Sequence, residues 1–416
     1  MSARPAFDVL VTGAEEHQGV AIIRALGREG HRVFAAGRGE NSVGFKSRYA
    51  KGRLSYTSPY ESKERAAEQI RDVVKANGIP FVIPVTESSV IALDEYRDMF
   101  NGITTLALPS RESLQVALDK RRTDVVTKRL GIPMPRGIDP ASIDEALAFS
   151  DEVGFPLVMK PSGQRIYGAA TGGFSFKAIY VHDRTVLLDY LTKFEKGGAF
   201  PLLQQYCPGV KVAHQTLSTR GKLAYIYQYK GAREFPLTGG ISSLYESQRV
   251  DPRLRDWTER LLGDIGWDGV AMPEYKFDER TGSAVLLELN GRFAAPVAGA
   301  IDAGMNFPHS LLTYMKTGTP APMPADYPIG KRMRYLRGDL EGLWMLASGD
   351  TDGALWSLPS VAAAARNVLA AASPSVKSEM LAMDDPLPGI VDTARVVGDF
   401  AGRVGSFVLN RIRSRF

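Results

Sequence analysis

The chain has 416 residues, 23% of them charged and 44% hydrophobic, with a net charge of +5 and an isoelectric point near 9.1. These are proportions of a soluble globular protein long enough for about two or three domains and a substantial core. A single cysteine, Cys207, excludes an intramolecular disulfide and a Cys-x-x-Cys metal site; the basic residues are dispersed among acids, which speaks against nucleic acid as a partner while favouring small anionic substrates such as nucleotides. Residues 1–8 carry no apolar leader core, and no run approaches the roughly 18 apolar residues of a membrane span, so a cytoplasmic setting is expected.

Asp8–Val11 reads as a short strand running into Gly13, Val20–Leu26 as a helix and Arg32–Ala36 as a second strand, a βαβ opening. Ala66–Val74 has amphipathic helical spacing, and Phe81–Val85 and Thr105–Leu108 read as further strands. Residues 1–112 are therefore expected to form a small Rossmann-like, doubly wound parallel sheet. Gly13 and Gly19 lack the middle glycine of G-x-G-x-x-G, and Gly37-Arg38 stands where a nicotinamide dinucleotide site wants an acid, so an oxidoreductase is the weaker reading of this domain.

Ser113–Leu130 has a helical pattern closed by Gly131-Ile132-Pro133-Met134-Pro135, and a second domain is expected over residues 113–325. Ser142–Val153 is one more helix, with Gly154 placed to end it before the strand Pro156–Lys160. Pro201–Tyr206 and Leu223–Lys230 read as strands and Pro252–Ile265 as a helix beneath an antiparallel sheet, an α+β body. Residues 326–416 are expected to be helical, with an alanine-rich stretch at Val361–Ala372 and a loop around Asp384–Pro388. In the final helix Val397, Phe400, Val404, Val408 and Ile412 recur at helical spacing among Arg395, Arg403, Arg411, Arg413 and Arg415. Such a helix either caps its own protein or makes peripheral contact with an anionic membrane surface.

The chemistry-bearing residues sit on two strand-like runs, Glu274-Tyr275-Lys276 and Leu286–Arg292. Period-two alternation predicts Val285, Leu287 and Leu289 on one face of the second run and Glu288, Asn290 and Arg292 on the other. Asp278–Gly282 reads as a hairpin turn that sets Glu274 beside Glu288. Two carboxylates and an amide oxygen on one surface suit Mg²⁺ held together with substrate phosphates, although a wet sheet face has the same pattern. Pro273 suggests a strand edge or a bulge. Lys160 ends an apolar strand before the glycine-rich run Pro161–Gly173, a sensible phosphate clamp without a Walker A sequence; a mobile surface loop is the alternative. The five histidines, His17, His31, His182, His214 and His309, show no triad or metal-ligand spacing.

Taken in order, Asp119-Lys120, Val158–Pro161 with its glycine-rich loop, Leu203–Gly209, Glu274 and Glu288–Arg292 resemble the ATP-grasp enzymes over residues 5–320. Arg233–Gly240 and Gly299–Pro308 resemble the carboxylate-amine ligase branch related to the carbamoyl phosphate synthase ATP-binding fold. The resemblance implies an ATP-grasp domain with a first lobe at 113–202 and a second at 203–325. It implies that Lys120 and Lys160 hold nucleotide phosphates, that the loop containing Ser162, Gly163, Gly172 and Gly173 is a lid, and that Gln204, Gln205, Tyr206 and Cys207 form the hinge facing adenine. Glu274, Glu288 and Asn290 would bind Mg²⁺, one ion or two, with Mn²⁺ as a substitute, and Arg292 would steady the charged intermediate. Lys211 stands where a ribose-binding acid is usual, and Gly291 where proline is usual, loosening the approach to Arg292. Arg233 is either a fork for an acceptor carboxylate or a surface arginine in a turn. The implied activity is an ATP- and Mg²⁺-dependent ligase that activates a small-molecule carboxylate as an acyl phosphate and couples it to an amine, with a homodimer as the family-level expectation. The alternative is a non-catalytic ATP-binding protein with a membrane-surface C-terminal helix.

Overall fold

In the computed structural model, residues 7–160, 178–198, 200–237, 239–351 and 358–413 are described. Val9, Leu10 and Val11 are fully buried because β1 (Asp8–Val11) is the middle strand of a five-stranded parallel sheet. Its partners are β2 (Arg32–Gly37), β3 (Ala50–Ser55), β4 (Phe81–Ile83) and β5 (Thr105–Leu106), in the order β3-β2-β1-β4-β5. Helices α1 (His17–Arg28), α2 (Lys63–Asn77) and α3 (Glu87–Glu95) complete the doubly wound arrangement expected of the N-terminal part of the chain. β3 is not foreshadowed by its residues: Ala-Lys-Gly-Arg-Leu-Ser is half exposed at the sheet edge and carries no apolar run.

The pattern from Ser113 to Leu130 is two helices, α4 (Arg111–Leu118) and α5 (Lys120–Leu130). They part at Asp119, whose extended backbone (φ −110°, ψ 108°) stops the first and whose carboxylate caps the second by accepting from the Arg121 N–H at 2.9 Å. A four-stranded antiparallel sheet follows, β6 (Gly137–Ile138), β7 (Leu157–Lys160), β8 (Ile179–Val181) and β9 (Leu202–Gln205), in the order β6-β9-β7-β8. Helices α6 (Ile143–Val153) and α7 (Arg184–Lys196) pack on it through Phe149, Leu187, Leu191 and Phe194.

The larger sheet contains β10 (Val210–Thr219), β11 (Lys222–Phe235), β12 (Ile241–Gln248), β13 (Gly269–Asp278) and β14 (Ser283–Asn290). Beneath it α8 (Pro252–Asp264) buries Leu254, Trp257, Leu261 and Leu262 against Tyr275, Leu286 and Leu289. α9 (Val297–Asp302) and α10 (Phe307–Thr317) join the sheet to α1 through a shared apolar core. The C-terminal region, expected to be helical, also extends the sheet with β15 (Arg332–Arg334) and β16 (Val376–Ser378), giving the order β14-β13-β10-β11-β12-β15-β16. Its helices are α11 (Leu336–Ser348), α12 (Val361–Ala370) and α13 (Pro386–Arg413).

Two expectations about the acid-bearing strands need correction. Ala284, Leu286 and Leu289 enter the core, whereas Val285 and Leu287 do not. The cause is a bulge: Tyr275 pairs with Leu286 and Glu274 with Glu288, so Leu287 is an extra residue and the alternation changes phase there. For Pro273 the edge is corrected and the bulge is borne out: β13 lies between β10 and β14, its register with β14 shifts between Glu274 and Tyr275, and the β10 ladder pairs Glu274 with Ala213 and Ala271 with Thr216, leaving the positions between them unpaired.

α13 packs on α11, with Phe407 edge-on to Trp344 and the Arg403 guanidinium bonded twice to Glu341, at 2.8 and 2.6 Å. Val396 is buried, Phe400 is half-buried, and Val397 and Val404 are exposed. The side chains of Val408, Arg411, Ile412 and Arg413, and all of Arg415, lie outside the described residues. Among the described residues no helix is long and apolar enough to cross a membrane.

Candidate functional site

The hairpin of β13 and β14 sets Glu274 directly opposite Glu288, as its turn predicts. After the bulge, Glu288 and Asn290 share one face, and the Asn290 amide donates to Glu288 Oε1 at 3.0 Å. Both line a cavity of about 1000 Å³ together with Lys120, Gln204 and Arg292. Val90 and Ile91, on α3 of the first domain, form part of its wall, so the cavity lies where that domain meets the two sheets.

The cations around the acids come from different parts of the chain. Lys120 is the first residue of α5, and the helix break at Asp119 leaves its Nζ 3.7 Å from Glu288 Oε2. Lys160 ends β7, where its Nζ donates to Gln204 Oε1 at 2.7 Å. Burial and the nearby Lys120 ammonium push Lys160 down to about 8. Burial works to raise the Glu288 carboxyl, but Lys120, Lys160 and the Asn290 bond outweigh it and hold the group down to about 2. Arg292 donates to the Phe293 carbonyl at 2.9 Å and to Asn290 Oδ1 at 3.3 Å, and has no carboxylate partner among the described residues.

Glu274 is held differently. Its Oε2 lies 3.3 Å from the Lys211 ammonium on β10, which also donates to the Gly240 carbonyl. Burial and the facing Glu288 raise the Glu274 pKa, against the pull of Lys211. Burial works to lower that of Lys211, but the carboxylates of Glu274, Glu234 and Glu288 prevail and raise it above the ordinary lysine range. Sequence reasoning marked Lys211 as a departure without finding this partner; a lysine between Val210 and Val212 in a buried strand is the signal that it needs one.

The predicted hinge is the end of β9 and the residues after it. The Gln204 side chain is turned to Lys160, whose ammonium takes one of the two acceptor positions of its oxygen at the cavity wall. The Gln205 N–H donates to the Arg136 carbonyl at 2.8 Å, Tyr206 meets Tyr180 edge-on, and burial raises the half-buried Cys207 thiol. Ser162, Gly163, Gly172 and Gly173 lie outside the described residues.

Arg233 stands apart from this cluster, and its expected availability is corrected. Its Nε and Nη2 bond both oxygens of Asp339 at 3.0 and 2.6 Å, so the fork offered for an acceptor carboxylate already holds one from α11. The pair lines a second cavity, of about 370 Å³, which Lys211, Glu234 and Lys276 border on one side and Leu343, Leu346 and Val368 on the other. Gly291 is corrected too: a Cβ there would lie 2.8 Å from the Trp267 ring, so the backbone is tightly covered rather than loosened.

Among the described residues no group of three or more His, Cys, Asp or Glu side chains could hold a metal ion. The oxygens present, Glu288, Asn290 and a lysine-paired Glu274, form an incomplete hard-ligand set that fits a divalent cation completing its shell with phosphate oxygens and water.

No protein-family model matches the chain. The carbamoyl phosphate synthase large chain of Clostridium perfringens (strain SM101 / Type A) is 28% identical over 207 residues, covering 47% of this chain and 18% of that protein. The corresponding chain of Deinococcus radiodurans is 26% identical over 198 residues, again covering 18% of the relative. This chain thus matches less than a fifth of the length of those relatives. Among solved structures, the biotin carboxylase domain of Hydrogenobacter thermophilus 2-oxoglutarate carboxylase, a dimer with MgADP, ADP and bicarbonate, superposes with a TM-score of 0.61 at 17% identity, covering 79% of this chain and 74% of that one. N5-carboxyaminoimidazole synthetase from Staphylococcus aureus gives 0.61 at 12% identity over 83% and 86% of the two chains, and L-amino acid ligase from Bacillus licheniformis 0.55 at 16% over 76% and 75%.

Proposed function

This chain has the fold of the ATP-grasp carboxylate-amine ligase group, to which its relatives and structural neighbours belong, and from that premise we propose that it is an ATP- and Mg²⁺-dependent ligase joining a carboxylate to an amine. The observation that carries the reading is the convergence of Lys120 from α5, Lys160 from β7 and Glu288, Asn290 and Arg292 from β14 and the residues just after it, with Lys160 joined to the cavity through its bond to Gln204.

A carboxylate does not condense with an amine in neutral water, because hydroxide is a poor leaving group. Phosphorylation by ATP converts that oxygen into phosphate, which an amine displaces. Lys120 and Lys160 are the groups that would bind the nucleotide phosphates, with the buried Lys160 gaining a favourable anion for its desolvated ammonium. Glu288 and Asn290 would hold magnesium beside the lysine-paired Glu274, and magnesium supplies neutralisation of phosphate charge when bound. Arg292 is the cation available to a developing oxyanion, since no carboxylate among the described residues occupies its guanidinium. Arg233, closed on Asp339, would support the wall of the second cavity.

The test is ADP release with panels of candidate acids and amines, comparing the wild type with Glu288→Ala. Turnover that depends on both substrates and falls by about 100-fold or more in the variant is expected. Equal turnover by both proteins would remove the assignment.

A further inference from the structure

Lys211 and Glu274 are joined where a two-metal site would need Glu274 free. The Lys211 ammonium is 3.3 Å from Glu274 Oε2, and the two side chains are only 9% and 11% exposed. They come from neighbouring strands: Ala213 is the register partner of Glu274, so Lys211 reaches it along the diagonal of the antiparallel pair. The Gly240 carbonyl takes a second bond from the ammonium and fixes it in place.

The charges around the acids give this contact a consequence. Lys120, Lys160, Lys211 and Arg292 contribute four positive charges and Glu274 and Glu288 two negative ones, leaving the six side chains with a surplus of two, which the neighbouring Glu234 and Lys276 leave unchanged because they cancel. An ATP with one magnesium carries about two negative charges and cancels that surplus. A second divalent ion would leave the filled site with two uncompensated positive charges, which is unfavourable. With an acid at position 211 the six side chains would sum to zero, and ATP with two divalent ions would be the neutral combination.

We infer that Lys211 is a tethered cation occupying the place of one metal ion, so that this site takes a single divalent ion per nucleotide, on Glu288 and Asn290. The inference rests on the ATP- and magnesium-dependent reading proposed above. Lys211 is then a residue that sets metal stoichiometry, with Glu274 neutralised by it.

The test counts bound Mn²⁺ by electron paramagnetic resonance on the full chain saturated with a non-hydrolysable ATP analogue, with bound nucleotide measured in the same sample. One Mn²⁺ per bound nucleotide is expected for the wild type, and two, with the broadening of a coupled pair, for Lys211→Glu. Lys211→Gln, which removes the ammonium without adding charge, is expected to admit the second ion at higher Mn²⁺ concentration. Two ions per nucleotide in the wild type, or one in folded variants at all concentrations, overturns the inference and leaves the ATP reading standing. Failure to bind nucleotide overturns both. Should Lys211→Glu not fold, the wild-type count decides the matter alone.

Discussion

Arg24 on α1 and Asp385 just before α13 stand 361 positions apart and form a nearly dry ion pair, Nε to Oδ2 at 2.9 Å with side chains 3% and 2% exposed. Ser47 Oγ also donates to Asp385 Oδ2 at 2.7 Å and the Arg48 N–H to Oδ1 at 2.8 Å, while Arg24 donates to the carbonyls of Met380 and Asp385. The last helix is thereby tied to the first domain. Removing one partner leaves the other charge buried, so Asp385→Ala is expected to cost about 3–5 kcal/mol. Asp384→Ala, at the half-exposed Arg28 pair beside it, is expected to cost about 1 kcal/mol or less. Urea denaturation of the two variants measures the difference.

A second contact between the ends of the chain predicts a pH dependence. His17 Nε2 lies 3.2 Å from Glu379 Oε2, both nearly inaccessible, with the His17 ring stacked on Tyr335. Burial pushes His17 down to about 3 and Glu379 up to about 8. Between about 4.5 and 8 the folded state binds the Glu379 proton more tightly than the unfolded chain does, so this group's stabilisation is lost as pH rises through that window. His17 acts oppositely, and its contribution is lost as pH falls from 6.5 towards 3. Glu379→Gln is therefore expected to gain on the wild type by a margin on the order of a few kcal/mol between pH 5 and pH 8.5. Denaturation midpoints of both proteins at the two pH values check this.

Lys160 gives a prediction for binding. With its pKa lowered to about 8 by burial and by Lys120, the free protein loses the phosphate-binding ammonium above that pH. Nucleotide affinity is expected to weaken about tenfold per pH unit above 8. Binding near pH 8.5 is expected to take up a proton, because phosphate favours the charged lysine. Calorimetry in buffers of differing ionisation enthalpy reads that uptake directly, and Lys160→Arg is expected to abolish it.

The residues that align Glu274 with Glu288 are local in sequence, a turn between two strands, and were legible for that reason. Parallel strands with apolar runs, β1, β2 and β4, were legible as well, whereas β3 has only edge pairing to identify it. Period-two alternation cannot foresee a bulge, and with leucine at consecutive positions in this strand it puts Leu287 on the core face that Leu286 takes. Lys211–Glu274, Arg233–Asp339 and Arg24–Asp385 were hidden for another reason: each joins residues 63 or more positions apart, and no local spacing connects them.

Gly291 makes the last prediction, because it joins Asn290 to Arg292 at a place with no room. A methyl group there would lie 2.8 Å from Trp267 Cη2 and 3.0 Å from Leu114 Cδ1. Trp267 is fully buried and its indole N–H donates to the Val270 carbonyl at 3.1 Å, so the ring cannot withdraw without losing that bond. The backbone between Asn290 and Arg292 has to move instead. Gly291→Ala is expected to cost about 1–3 kcal/mol of stability through overpacking. Because Asn290 bonds both Glu288 and Arg292, the same shift is expected to lower the maximal rate of ADP release more than the affinity for nucleotide, whose phosphates depend on Lys120 and Lys160. Thermal melting together with separate measurement of kcat and nucleotide Kd tests this; a destabilised variant with an unchanged kcat would show that the Asn290–Arg292 geometry does not govern the rate.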